Sequence, residues 1–275
     1  MPDSWLATEK PVFLSDFGCR SVGGQQKNQS LKEGVICYGR RTFLLNLPKY
    51  HLNIRTLMLM TKKQAIAIIT KCAKQYQQYL EGNQVVFVYR DENNKSNHTA
   101  VRFHSHNFLH FTGVTPRTGM NANGFYRAAL NNRLSENDFS FKSNHTTELK
   151  LKVLGIIMSM DTSARMIGNY TGPHLELYTE KVTGTTTACL GLIQSKDCYI
   201  PNSVLSEDIR SIVPKPPGKI FAIFKKPIGA PLYTQLTYKS KNISITKKCL
   251  PKELLTEVDT SLLEDNNNSD DNEPA

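Results

Sequence analysis

The chain lacks the marks of a membrane span and of a secreted domain. Its 275 residues contain no apolar run approaching the roughly 18 residues that cross a bilayer. The first ten residues lack the charged-then-apolar order of a secretory signal. We therefore expect a cytoplasmic protein with no membrane partner.

Cysteine is present but is not arranged for metal or disulfide chemistry. No Cys-x-x-Cys occurs, and no histidine pair lies nearby at metal-ligand spacing. We expect reduced and mostly buried thiols, no metal site and no cofactor. The six cysteines are Cys19, Cys37, Cys72, Cys189, Cys198 and Cys249.

Acidic residues are scarce outside one segment. The chain has 34 Lys and Arg against 24 Asp and Glu, but five of the acids and no base lie in residues 264–275. The remainder, with 34 basic and 19 acidic residues, carries a formal charge of +15. Such an excess favours RNA, DNA, an anionic membrane or simple solubility. The tail predicts a disordered, solvated segment, with autoinhibition over the basic face as the alternative.

The length allows one large domain or two small ones. Residues 1–56 are weakly periodic and are assigned to an N-terminal extension of uncertain fold. Residues 57–245 are predicted to form an α+β domain, and residues 246–275 a C-terminal segment that ends in the acidic tail. No internal repeat is visible.

Periodicity predicts helices first and strands last. A capping box at Thr61–Gln64 begins an amphipathic stripe that ends at Gly82, and two further helices are expected over 121–131 and 146–160. Strands are expected over 85–89 and 99–111 as a hairpin, over 186–193 and from 198, and over 220–224 with 232–239 as another. The pattern is that of an α+β domain whose N-terminal helices pack on a C-terminal antiparallel β-meander.

One histidine lies in an aromatic segment just before a glycine. His110 stands among Phe108, Leu109 and Phe111, at what reads as the end of a strand. A strand end would fix the imidazole while a loop admits substrate, which suits a proton donor or acceptor. The alternative is a packed core histidine with one satisfied ring nitrogen.

Several short motifs occur in order along the chain. They are Phe108–Gly113, Phe125–Tyr126, Leu134–Phe139, Thr146–Leu154, Met166–Tyr170 and Tyr199–Leu205. Over residues 60–240 they resemble the fourth type of phage and mobile-element nuclease-like proteins, grouped with barnase, EndoU, colicin and RelE ribonucleases. The resemblance implies a compact α+β ribonuclease with chemistry on the concave face of the sheet, and it transfers no active-site residue.

Metal-independent RNA cleavage can use the RNA 2′-hydroxyl as nucleophile, so the protein supplies a proton acceptor, a donor and cations. His110 is the candidate base or acid, and Thr187 and Tyr199 are candidates to orient the phosphate. For each lysine a solvated surface position is the alternative, and for Lys150 snorkelling along its helix is another. The candidate phosphate-binding residues are Arg102, Lys150, Lys181, Lys225 and Lys239.

Two further patterns have both a functional and a structural interpretation. Arg102, His104 and His106 alternate on one strand face, where they either line a groove or form an exposed hairpin face. Four tyrosines could stack on unpaired bases, but the core periodicity already explains their spacing. They are Tyr76, Tyr79, Tyr89 and Tyr126.

The preferred interpretation is a cytoplasmic, metal-independent endoribonuclease of a phage or mobile element, with a toxin-like role. A basic nucleic-acid-binding protein without catalysis is the alternative, since a fold does not guarantee activity. A third is a binding module for an acidic partner, such as an inhibitor or immunity protein.

Overall fold

A computed structural model describes residues 60–172 and 178–264. The predicted N-terminal extension, residues 173–177 and the acidic tail beyond Glu264 lie outside the described residues. None of the described helices is both long and apolar enough to cross a bilayer.

The described chain contains five α-helices and ten strands, joined by turns and short 3₁₀ segments. The helices are α1 (Lys62–Tyr79), α2 (Asn107–Thr112), α3 (Ala122–Leu130), α4 (Thr146–Ile157) and α5 (Met160–Ser163). The strands are β1 (Asn83–Arg90), β2 (Ser96–Arg102), β3 (Thr115–Pro116), β4 (Phe139–Ser140), β5 (Met166–Asn169), β6 (Lys181–Gly184), β7 (Cys189–Ser195), β8 (Cys198–Leu205), β9 (Gly218–Pro227) and β10 (Gln235–Lys239).

The predicted start of α1 is confirmed. The Thr61 side chain accepts a hydrogen bond from the Gln64 backbone, and the Gln64 side chain accepts one from the Thr61 N–H at 2.8 Å. This reciprocal pair satisfies two of the N–H groups that a helix start leaves free. The helix then buries a stripe that includes Ile69, Cys72 and Tyr76 in the main core of the domain.

Eight strands form one mostly antiparallel sheet in the order β1-β2-β8-β7-β6-β5-β9-β10, and β9 also pairs with β1. The α+β class is confirmed. The arrangement differs from helices followed by a meander, because β1 and β2 come between α1 and α2 and lie within the main sheet. Only β5 to β8 run as a consecutive meander, and β8 returns parallel to β2.

The prediction of a strand through residues 99–111 is wrong beyond Arg102, where β2 ends and α2 follows after a short turn. Phe108 and Phe111 are fully buried, and their ring centroids lie 5.5 and 5.6 Å from that of Tyr76. A spacing of three residues brings both rings to one side only in a helix. Tertiary packing therefore overrides the strand preference of this aromatic segment.

The sheet is covered on both sides. The main core lies between the helices and the sheet, and a second core lies on the opposite side of β1 and β9. There Val86, Val88 and Phe224 meet Leu250, Leu254 and Val258 from the C-terminal part of the described chain. Ligand access on that side is therefore limited to the gaps that this segment leaves.

Candidate active site

The candidate site lies where β2 and β8 separate. The two strands pair at one position, Val101 with Tyr199, and α2 begins in the space beyond it. The buried Asn107 side chain joins the three elements, since its Oδ1 accepts from the His104 N–H at 2.8 Å and its Nδ2 donates to the Pro201 carbonyl at 3.3 Å. Asn107 thus fixes the start of α2 against β8.

A bulge in β8 prepares the other wall of the site. Ser203 pairs with Gly191 and Pro201 with Leu192, so Asn202 is the extra residue. Bulges commonly re-aim a side chain beside a functional site. Here the residue after the bulge, Ser203, is buried and presents its hydroxyl to α4.

Lys150 of α4 connects α2 to β8. Its Nζ donates to the His110 carbonyl and to Ser203 Oγ, both at 3.1 Å. Gly113 makes room for the lysine stem, because a Cβ at that position would lie 2.8 Å from Lys150 Cδ. The φ angle of +69° at Gly113, which ends α2, also favours glycine.

The charge of Lys150 is not neutralised. Within the described residues its partners are a carbonyl and a hydroxyl, and it forms no ion pair with a carboxylate. Burial, followed by the nearby charge of Lys142, lowers the pKa of Lys150 from 10.5 to about 8. Such a difference corresponds to roughly 3 kcal/mol against the charged form. Lys150 is therefore a cation poised to gain from an anionic ligand.

His110 lies in the last turn of α2 and is exposed to solvent, so the packed core histidine is the wrong alternative. Partial desolvation lowers its pKa, and the charges of Lys150, His106 and Lys142 lower it further. The imidazole is consequently neutral near pH 7 and able to accept a proton. A neutral base beside a charged lysine is the combination that acid and base catalysis needs.

His104 and His106 adjoin this site, although they lie in the turn after β2 and not on the predicted strand face. Their rings stack with centroids 5.4 Å apart and planes 7° from parallel. His106 and His110 are four residues apart at one side of α2, which places them about one turn from each other. Burial, His106 and Arg102 lower the pKa of His104 in that order.

Three candidate phosphate-binding residues are instead paired with carboxylates away from His110. Arg102 donates to Asp197 at 2.8 Å and to Gln84 Oε1 at 2.7 Å. Lys225 Nζ lies 2.8 Å from Asp161, in a largely buried pair. Lys239 Nζ lies 2.6 Å from Glu264. Each of these three basic side chains therefore has a counter-charge within the protein.

The other candidates are separated along the β6–β8 region. Lys181 Nζ lies 5.6 Å from the ring centroid of Tyr199, so these two residues are neighbours. Thr187 lies in the turn between β6 and β7, where its N–H donates to Thr185 Oγ1. That turn is near the Leu205 end of β8, roughly 17 Å along the strand from Tyr199. The structure does not bring Thr187 to Tyr199.

The tyrosines divide between core and surface. Tyr76 and Tyr126 are buried, so the structural interpretation is correct for them, while Tyr79 is 40% exposed.

The sequence did not point to Asn107, Lys142 and Ser203 as site residues. The motif Asn202-Ser203 next to a proline was visible, but its bulge depends on pairing with β7.

Among the described residues no three His, Cys, Asp or Glu side chains form a group that could hold a metal ion.

A family model described as phage-Barnase-EndoU-ColicinE5/D-RelE like nuclease4 matches residues 68–242. The chain belongs to this family. No curated protein and no solved structure matches this chain.

The His110 site lies inside the region that the nuclease4 family model matches, since α2, α4 and β8 all lie within residues 68–242. The suspected resemblance is confirmed, and so is the assignment to a nuclease-like family. The C-terminal segment that builds the second core, residues 243–264, lies beyond the match.

Proposed function

We propose that this nuclease4-family chain is a metal-independent endoribonuclease whose active site is formed by His110 and Lys150. The observation that carries the proposal is the half-buried ammonium of Lys150, which has no carboxylate partner in the described residues and touches the backbone of His110. Uncompensated charge of this kind is costly to a fold and is typical of a site that binds the opposite charge.

In this mechanism the RNA supplies the nucleophile. Neutral His110 accepts the proton of the 2′-hydroxyl, whose oxygen bonds to the adjacent phosphorus while the bond to the 5′-oxygen breaks. The ammonium of Lys150 stabilises the charge that develops on the phosphoryl oxygens and supplies a proton for the leaving 5′-oxygen. The products are a 2′,3′-cyclic phosphate and a 5′-hydroxyl end.

Neighbouring groups have secondary roles in the proposal. Lys142 and His106 act on His110 electrostatically, since both lower its pKa, and Lys142 also lowers the pKa of Lys150. Lys181 and Tyr199 form a cation and aromatic pair suited to a flanking nucleotide. Thr187, Arg102, Lys225 and Lys239 are left out of the catalytic assignment.

The test is incubation of purified protein with total RNA in excess chelator, followed by sequencing of the new ends. We expect cyclic phosphate ends, and we expect His110→Ala to lower cleavage by roughly 10² to 10⁴ while RNA affinity and melting temperature stay nearly unchanged. A destabilised His110→Ala protein with full activity per folded molecule would remove His110 from the mechanism. Cleavage abolished by chelator would contradict metal independence.

A nucleic-acid-binding protein without catalysis is the second candidate, favoured by the formal charge of +10 over the whole chain. It predicts RNA that is bound but intact in the same experiment. We further propose a cytoplasmic protein of a phage or mobile element with a toxin-like role. An acidic inhibitor is its expected protein partner, because the excess of basic residues favours an acidic surface.

A further inference from the structure

A cavity lies beside the His104–His106 turn. Its volume is about 270 Å³, and it is formed between the end of α1, the turn after β2 and helix α3. The residues that line it are Gln77, Glu81, Ser105, Asn123, Tyr126, Arg127 and Leu130. A space of this size accommodates a single flat heterocycle.

Glu81 gives the cavity a fixed hydrogen-bond acceptor. Its Oε2 accepts from the Tyr126 hydroxyl at 2.8 Å. Tyr126 is buried, and burial with the Glu81 contact raises the pKa of Tyr126, so the hydroxyl stays protonated and continues to donate. No basic side chain of the described residues forms an ion pair with Glu81, so the second carboxylate oxygen is available to a ligand.

The remaining polar groups complete an edge for a planar ligand. Ser105 Oγ donates to Asn123 Oδ1 at 2.9 Å, which orients the Asn123 amide and leaves its N–H groups for another acceptor. Gln77 adds a second amide, and the ring of Tyr126 adds an apolar wall. Amides, a carboxylate and an aromatic wall are the groups by which proteins read unpaired bases.

The cavity also has the right position relative to the proposed chemistry. Ser105 on its wall directly precedes His106, and His106 lies about one helical turn from His110. A base in the cavity would therefore belong to a nucleotide next to the phosphodiester that is cleaved beside His110.

We infer that the cavity binds one unpaired RNA base that carries an exocyclic amine, with Glu81 as the residue that selects it. The inference rests on the proposed function for its substrate. Adenine and cytosine present an amino group to a carboxylate, and guanine presents its N1–H together with its 2-amino group. Uracil presents carbonyl oxygens on either side of a single N3–H, so a carboxylate binds it less favourably. Glu81 is thus a specificity residue and takes no part in proton transfer.

The experiment compares wild type, Glu81→Gln and the surface control Glu136→Gln by sequencing the ends cut from one RNA pool. In Glu81→Gln the new side chain can still accept from Tyr126 while its amide turns a donor toward the ligand. We expect wild type to disfavour uracil at one position beside the cut by about tenfold or more, and Glu81→Gln to remove or reverse this preference. The Glu136→Gln control should behave as wild type.

A binding measurement separates this inference from the proposed catalysis. His110→Ala, with and without Glu81→Gln, is titrated with oligoadenylate, oligocytidylate and oligouridylate. A preference for the amine-bearing oligomers that Glu81→Gln removes supports the inference even if wild type cuts no RNA. Cleavage or binding with a base preference that Glu81→Gln leaves unchanged, or with no preference at all, overturns it, provided the variant melts at the wild-type temperature.

Discussion

Two lysines that are partly or largely buried differ in the partner of the ammonium group. Lys150 at the candidate site donates to a carbonyl and a hydroxyl, whereas Lys225 on β9 donates to the buried carboxylate of Asp161 and to the Tyr79 carbonyl. Both are largely removed from water. Lys225 therefore holds α5 to the sheet through an ion pair, while the hydrogen bonds of Lys150 leave its charge without a counter-charge.

Other basic residues can also be divided into those paired with a carboxylate and those without such a partner. Lys226 is paired with Glu257 and Arg102 with Asp197, on the side of the sheet that carries the second core. Buried charges are tolerated when paired, and an unpaired one lowers stability unless a ligand completes it. Counting basic residues does not distinguish these cases, but their partners do. Among these lysines, Lys150 is the one whose ammonium group has no carboxylate partner in the described residues.

The largest expected effect is on stability and concerns the paired lysine. Asp161→Ala leaves the Lys225 ammonium buried without its counter-charge, and we expect a loss of about 3 kcal/mol in the free energy of unfolding. Denaturant unfolding measures it. The double variant Asp161→Ala with Lys225→Met should recover much of the loss, since it removes both charges. If the double variant were no more stable than the single one, the ion pair would not be the cause.

In contrast to the paired Lys225, substitution of Lys150 should lower activity without lowering stability. Lys150→Met keeps the stem beside Gly113 and removes the ammonium, so we expect RNA cleavage to fall by roughly 10² to 10³. The melting temperature should stay the same or rise, because an uncompensated charge is lost. Lys152→Met is the matched control, as Lys152 is exposed on the same helix. A lowered melting temperature in Lys150→Met would place Lys150 with the structural lysines.

The pH dependence of cleavage should report both groups. His110 acts as a base only when neutral, so the rate should rise with pH through a pKa below 6.5. The charge of Lys150 is lost through a pKa of about 8, so the rate should fall above that pH, to about one tenth by one pH unit higher. Lys150→Arg keeps its charge but is a poor proton donor, so the rate should be lower throughout and should show no alkaline fall, while the acid limb remains. An alkaline limb unchanged in Lys150→Arg would assign that limb to another group.

Local signals in the sequence were sufficient for much of the fold. The capping box at Thr61 starts α1, the turn at Ser195–Asp197 joins β7 to β8, and β9 pairs with β10 as predicted. Each of these depends on residues close in the sequence, the widest separation being that of Ala222 and Lys239 in the β9–β10 pair. The helix α2 was missed because six aromatic-rich residues are too few to show a period, and the choice depends on burial against Tyr76. The spacing of Phe108 and Phe111 before Gly113 was the available signal.

The site required contacts that no local pattern contains. Lys150 meets His110 across 40 positions and Ser203 across 53. Sequence reasoning could select His110 and Lys150 as candidates by residue type and could not join them. It also could not separate Lys150 from Lys225, because the difference lies in Asp161, which is 64 positions from Lys225.

The smallest expected effect compares two exposed lysines through the salt dependence of RNA binding. Lys142 lies close enough to lower the pKa of both His110 and Lys150, whereas Lys239 is paired with Glu264. Each lysine that neutralises a phosphate contributes about one to the slope of log affinity against log salt. Lys142→Met should therefore reduce this slope by about one and weaken binding a few-fold at low salt. Lys239→Met should leave the slope as in wild type, because its charge is already compensated. Equal slopes for the two variants would mean that RNA responds to the overall charge of the protein, and the distinction between paired and unpaired cations would then not determine where RNA binds.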